Sequence, residues 1–221
     1  SMEIYKDKAL IVNTKNPNVI LDSIPKSKVL KSYENGVSQV IVNWGIDEVI
    51  TLSKLVKFPP SPITKDYKWP GIYKPFNHQK ETAEFLSAHK RAYCLSEAGT
   101  GKTSGVIWAA DYLMNKGKIN RMLVICPLSI MKAAWEADLF KTAMHRTVAI
   151  AHGSAEKRKK ILAQNTDIVV INYDGIEVVR KELMEGGFDL IVVDEANYIK
   201  TVTTKRRKSL NKLILTLGYG Y

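Results

Sequence analysis

Hydrophobic positions change their rhythm along the chain near residues 57–74. After that stretch, short runs that are apolar throughout recur at Ala92–Leu95, Met122–Cys126, Val148–Ala151, Ile168–Ile171 and Leu190–Val193. Between them the apolar spacing turns helical, at Thr103–Asn115, Ser129–Phe140, Ala155–Ala163 and Gly175–Met184. Runs without polar alternation fit strands covered on both faces. Strand and helix in repeated alternation predict a doubly wound parallel α/β sheet, with ligands beyond the carboxyl ends of its strands.

The first part of the chain reads differently. Residues 2–58 hold shorter apolar runs at Ala9–Val12, Gln39–Val42 and Val49–Leu55, separated by the turn dipeptides Asn16-Pro17 and Asn35-Gly36. Asn-Gly between two such runs predicts a hairpin, and Asp22–Leu30 is expected to include a short helix. We read 2–58 as a small α+β accessory domain. Pro59, Pro60, Pro62, Pro70 and Gly71 interrupt helix and strand alike, so 59–74 is expected to be a linker or an extended strap, with the main domain spanning 75–221.

Composition excludes several classes. Hydrophobic content of 45% with 25% charged residues belongs to a globular chain, and no apolar run approaches the roughly 20 residues that span a bilayer. Cys94 and Cys126 each fall inside an apolar run and read as buried, reduced thiols, without the spacing of a disulfide framework or a zinc site. Lys6, Asp7 and Lys8 stand where a secretory leader would be apolar, so no membrane partner and a cytosolic setting, bacterial or phage-infected, are expected. The net charge of +11 favours phosphate-rich partners. Part of it is concentrated in Lys157-Arg158-Lys159-Lys160 and in six basic residues, with no acid, between Ala196 and Lys212.

Three stations carry chemistry. The first is Glu97-Ala98-Gly99-Thr100-Gly101-Lys102-Thr103, a glycine loop between a strand and a helix. Glycines let backbone N–H groups close around an anion, and the helix N-terminus adds its positive end. Gly99, Thr100 and Gly101 would cradle the phosphates, Lys102 would reach the β- and γ-phosphates of ATP, and Thr103 would hold Mg²⁺. Ser96 stands where the strict P-loop pattern has glycine. The second station is the strand Ile191-Val192-Val193 ending in Asp194-Glu195. Asp194 would hold Mg²⁺ through water, and Glu195 would orient and deprotonate the water that attacks the γ-phosphate. In the third, Lys74–Gln79 ahead of a helix, the Gln79 carboxamide could read an adenine edge while an aromatic or aliphatic neighbour packs on the base.

These stations together resemble the superfamily-two helicases. Asp194-Glu195-Ala196-Asn197 is similar to their Asp-Glu-Ala-His or Asp-Glu-Ala-Asp box, and the glycine loop to their first motif, which commonly lacks the leading glycine. The Swi/Snf branch is resembled more specifically. Leu123–Ser129 followed by Trp135, Glu136 and Phe140 is similar to its Ia region, His152-Gly153-Ser154 followed by Arg158 to its His-Gly-Ser step, and Ile171–Asp174 to its Ib neighbourhood. The resemblance implies a RecA-like P-loop fold and an ATP-dependent DNA translocase or helicase of phage type. It also implies a second RecA-like domain in cis beyond this N-terminal fragment, carrying the arginine finger. Pro127, Ser129, Asn172 and Tyr173 would line the face that grips a nucleic-acid backbone, DNA first among the candidates; hydroxyls and loop N–H groups hold phosphates without reading sequence.

Two positions depart from the family pattern. Asn197 replaces its usual His or Gln, and Ile214–Tyr221 stand where a Leu-Thr-Gly-Thr-Pro motif would follow. They leave open a rival reading, a nucleic-acid-binding module with a vestigial nucleotide site. A kinase or another P-loop remodeller would lack the Pro-Leu-Ser and His-Gly-Ser stations.

Overall fold

The computed structural model describes residues 1–88, 93–95 and 102–194. The chain divides into two compact units, one of Ser1–Lys68 with Glu84–His89 and the other of Trp69–Ala83 with the residues from Lys90 onward.

The first unit is built on an antiparallel sheet of β1 (Met2–Tyr5), β2 (Ala9–Thr14), β3 (Lys28–Ser32) and β4 (Ser38–Asn43), in the order β1-β2-β4-β3. Register explains its core: Leu10 faces Val42 and Val12 faces Val40 across the β2–β4 pair, and all four are buried. Helices α1 (Pro17–Ser23) and α2 (Ile46–Leu52) add Ile20, Val49 and Leu52 to the same cluster. The expected hairpin is present between β3 and β4. Gly36, at φ +86°, takes the left-handed position, and the loop is closed by Tyr33 N–H donating to Val37 O at 2.8 Å. The short helix lies earlier than expected, over Pro17–Ser23, because proline suits the first turn of a helix. The later part of Asp22–Leu30 instead enters β3.

The proline-rich stretch, expected to be a linker or an extended strap, is held at several points. It contains helix α3 (Ile63–Asp66), with Ser61 and Ile63 fully buried, and Ser61 Oγ lies 2.6 Å from Ser87 Oγ. Two indoles hold it by prolyl carbonyls. Within the first unit Trp44 Nε1 donates to Pro60 O at 2.8 Å, and within the second Trp108 Nε1 donates to Pro70 O at 2.7 Å. Proline removes a donor but leaves its carbonyl free to accept, so such a segment can be pinned without joining a ladder.

The second unit holds the doubly wound sheet. Strands β5 (Tyr93–Leu95), β6 (Met122–Ile125), β7 (Val148–Ala151), β8 (Ile168–Ile171) and β9 (Leu190–Asp194) pair in parallel in the order β5-β9-β6-β8-β7. All of β6 and β8 is buried, as continuous apolar runs require. Helices α5 (Lys102–Asn115), α6 (Leu128–Ala143) and α7 (Ala155–Ala163) match the expected helical stretches closely, and α4 (Asn77–Ala88) gives its first turns, residues 77–83, to this unit. The expected helix Gly175–Met184 is instead two, α8 (Tyr173–Val178) and α9 (Arg180–Glu185), broken at the β-branched pair Val178-Val179 with Val179 buried in the core.

Two polar clusters brace this unit. The Arg121 guanidinium donates to the carbonyls of Thr166, Gly186 and Gln164 at 2.8, 2.6 and 3.0 Å, and stacks over Phe188. Burial lowers its pKa, a shift that Asp167 opposes. On α5, Asp111 is 1% exposed and accepts from Arg146 Nε at 2.6 Å, with His145 Nε2 also at 2.6 Å.

Candidate nucleotide and nucleic-acid site

Every strand of the parallel sheet points the same way, so Lys102, which opens the helix after β5, and Asp194, which ends β9, fall on one carboxyl edge. Leu95, the last residue of β5, is the Cα partner of Asp194, the last residue of β9. Helix α5 begins at Lys102, with Thr103 next and half-buried. Strand, loop and helix therefore stand in the order that a phosphate cradle needs, beside the strand that ends in the acidic pair. Hydroxyl and carboxylate are the hard oxygen donors that suit Mg²⁺, and Thr103 and Asp194 bring one of each to this edge. Gly99, Thr100, Gly101, Glu195, Asn197, the basic stretch 200–212 and residues 214–221 lie outside the described residues. No group of three or more metal-ligating side chains occurs among the described residues.

Gln79 sits in the first turn of α4 and is 7% exposed. Its Oε1 accepts from Phe76 N–H at 2.8 Å, and its amide nitrogen makes no hydrogen bond among the described residues. The helix is carried close to α5 by a glycine. A Cβ at Gly105 would stand 2.8 Å from Gln79 O and 3.0 Å from Thr82 Cβ. A strap of residues 69–76 closes the site from the side. Ile72 N–H donates to Lys141 O at 2.9 Å, and Gly71, at φ +116°, passes so near that a Cβ would meet Lys141 O at 2.4 Å. Trp69 packs edge-on against Trp108.

Between strap, α5 and α6 lies a cavity of about 430 Å³, lined by Tyr73, Phe76, Gln79, Trp108, Asp138 and Lys141 among others. Tyr73 and Phe76 are 67% and 68% exposed, rings available to stack on a flat ligand. Burial pushes the Asp138 carboxyl above its usual range, against the pull of Lys141. Sequence reasoning singled out Gln79 but not Trp108, Asp138 and Lys141, which line the same cavity. Trp108 reads as one more apolar position of a helix that is buried nearly all round, and nothing local marks the two α6 residues.

The expected nucleic-acid residues occupy the other half of the edge. Pro127 caps the N-terminus of α6 just beyond β6, and Ser129 is the second residue of that helix. Asn172 caps α8 just beyond β8, and Tyr173 follows. Both are more buried than a broad gripping surface requires, at 8% exposure each. Tyr173 packs in the cluster of Leu123, Ile125, Ala151 and Ile171. Asn172 Oδ1 accepts from Arg158 Nη2 at 3.1 Å.

Comparison with known proteins places the chain. A sequence model of the SNF2-related domain matches residues 78–216. The chain belongs to the SNF2-related domain family. It is 27% identical over 167 residues to the DNA excision repair protein ERCC-6-like of Danio rerio, covering 66% of this chain and 11% of that protein. It is 25% identical over 146 residues to the uncharacterized ATP-dependent helicase YqhH of Bacillus subtilis, covering 64% of this chain and 25% of that protein. Among solved structures it is similar to the Sulfolobus solfataricus SWI2/SNF2 ATPase core in complex with dsDNA, with TM-score 0.54 and 28% identity over 65% of this chain and 31% of that one. The UvsW helicase of bacteriophage T4 shares the fold at TM-score 0.50 and 18% identity, covering 70% of this chain and 53% of that one. The SNF2-related chain thus spans between about a tenth and a quarter of these two relatives. Among the described residues, no helix is long and apolar enough to cross a membrane.

Proposed function

We propose that this SNF2-related chain is the ATP-binding motor lobe of a nucleic-acid-dependent ATPase that moves along duplex DNA. The motor lobe is the parallel-sheet unit, and the antiparallel unit is an accessory. One observation carries the reading: the strand–loop–helix start at Lys102 and the acidic strand end at Asp194 share one carboxyl edge within the region matched by the family.

In this reading Gln79 and the rings of Tyr73 and Phe76 hold adenine in the 430 Å³ cavity. Gly99, Thr100, Gly101 and Lys102 bind the phosphates, and Thr103 and Asp194 supply the oxygens for Mg²⁺, whose charge offsets that of the triphosphate. Glu195 orients the attacking water and takes its proton. Pro127, Ser129, Asn172 and Tyr173 form the face toward the DNA backbone. A second RecA-like lobe in cis supplies the transition-state arginine, a contribution of about 10³–10⁵ in rate where such a finger operates. The setting is the cytosol.

Binding of a fluorescent ATP analogue tests this directly. Saturable, Mg²⁺-dependent binding by the chain and its loss in Lys102→Ala are expected. Equal binding by Lys102→Ala would leave the vestigial-site reading in its place. In the full-length protein, Glu195→Gln is expected to bind ATP and fail to turn it over.

A further inference from the structure

Arg158 lies on α7, outside the residues assigned above to the DNA face, and it makes a single side-chain hydrogen bond among the described residues, to Asn172 Oδ1. A guanidinium carries only donors, so it can face only the oxygen of a carboxamide. Pinning Oδ1 fixes the other end of the group as well: the Nδ2 amine must point away from Arg158. No hydrogen bond to Asn172 Nδ2 is formed among the described residues, although Asn172 is 8% exposed. Nor is Nδ2 one of the buried, partnerless side-chain atoms, which among the described residues are Arg158 Nε, Thr166 Oγ1 and Arg180 Nη2. The amine therefore reaches solvent as an unused donor at the carboxyl edge of β8.

The surroundings are fitted to this arrangement. A Cβ at Gly175 would stand 3.0 Å from Asn172 Oδ1 and 3.2 Å from Arg158 Cζ, so the pair packs into the space that only glycine leaves. The Arg158 Nε is buried with no partner, a cost accepted to bring Nη2 onto Asn172. Ser154, whose side chain accepts from Lys157 N–H at 3.2 Å, caps α7 and fixes where Arg158 emerges.

We infer that Arg158 is a positioning residue that locks the Asn172 carboxamide with its oxygen inward, so that Nδ2 is presented as a hydrogen-bond donor to a nucleic-acid phosphate. This rests on the reading of Asn172 as part of the DNA face. Arg158 acts through Asn172 and does not itself bind phosphate.

Duplex DNA binding by the full chain, followed by fluorescence anisotropy across a salt series, separates the possibilities. Arg158→Ala and Asn172→Ala are each expected to weaken binding about tenfold, as loss of one charge-assisted contact would. The double variant should be no weaker than either, with the slope of log K against log salt unchanged, because no phosphate-bound cation is removed. Gly175→Ala keeps both side chains and favours helix, yet should weaken binding to a similar degree by displacing the pair. Asn172→Asp keeps an acceptor for Arg158 but removes the donor and adds charge, and should weaken binding most. Additive losses with a shallower salt slope would make Arg158 a direct phosphate ligand and overturn the proposal. So would unchanged binding by Arg158→Ala in a variant whose Tm is native. A wild-type chain that fails to bind duplex DNA would overturn the DNA reading and the proposal with it, whereas a wild type that binds equally well with Asn172→Asp overturns the proposal alone.

Discussion

Arg146 Nε donates to Asp111 Oδ1 at 2.6 Å, from the loop after α6 into the buried side of α5. The same Asp111 oxygen meets His145 Nε2, and Asn115 Oδ1 accepts from Arg146 Nη2 at 2.6 Å. A carboxylate taken out of water at 1% exposure survives only because these partners surround it. The cluster locks the far end of the helix whose first residue is Lys102.

Asp111→Ala is expected to cost about 2 kcal/mol, since Arg146 Nε and His145 lose their shared acceptor while Asn115 and Asp167 still hold the rest of the guanidinium. Urea denaturation followed by circular dichroism measures it. A change below about 1 kcal/mol would mean that the cluster is surface decoration.

Gly105→Ala tests the close approach of α4 to α5. The new methyl would press on the backbone carbonyl of Gln79, which cannot rotate aside, so a loss of about 1–3 kcal/mol is expected despite the better helix propensity of alanine. Nucleotide affinity should fall alongside stability, because Gln79 moves with its helix. Stability and affinity both at wild-type levels would contradict this packing.

Trp108→Phe keeps the ring and removes the N–H that holds Pro70 O. A stability loss of about 1 kcal/mol is expected. Faster proteolysis within residues 69–76 is the sharper readout, and an unchanged cleavage rate would show that the indole bond does not hold the strap.

Asp138 supplies a pH signature. Burial raises its folded-state pKa above the ordinary 3.8, so folding favours the protonated acid. The stability this group contributes is present at low pH and is lost as pH rises through the raised value. Asp138→Asn cannot ionise, so its Tm should exceed that of the wild type at pH 7, and the gain should vanish below about pH 3.8. A gain that persists in acid would assign the effect to something other than ionisation.

The sheet was legible because β6, β8 and β9 are apolar almost without interruption, a pattern that suits strands covered on both faces, and because the half-buried edge strand β7 carries the same run. The hairpin at Gly36 was legible because a positive φ leaves few residue choices. For the stretch from Pro59 to Lys74 the sequence left linker and strap both open, because proline reports what a segment cannot donate and says nothing of what its carbonyls can accept. The indoles of Trp44 and Trp108 that capture it stand 16 and 38 residues away from Pro60 and Pro70. The edge positions of Lys102, Thr103 and Asp194 could be anticipated from motif and fold together. The burial of Asn172 and Tyr173 could not, since a polar residue after a strand faces solvent or a neighbouring arginine with equal ease. The lining that α6 lends to the Gln79 cavity is a tertiary fact that no local pattern carries.

Strand order gives the carboxyl edge a division of labour. In the proposed function the nucleotide residues other than Gln79 end or follow β5 and β9, the DNA residues follow β6 and β8, and the border falls between β9 and β6, where Val193 is the partner of Ile125. That border is one strand spacing wide, about 4.8 Å. In that reading Asp194 directly follows Val193 on one side of the border and Pro127 lies two residues beyond Ile125 on the other, so the two proposed ligand sites flank the same end of one hydrogen-bonded ladder.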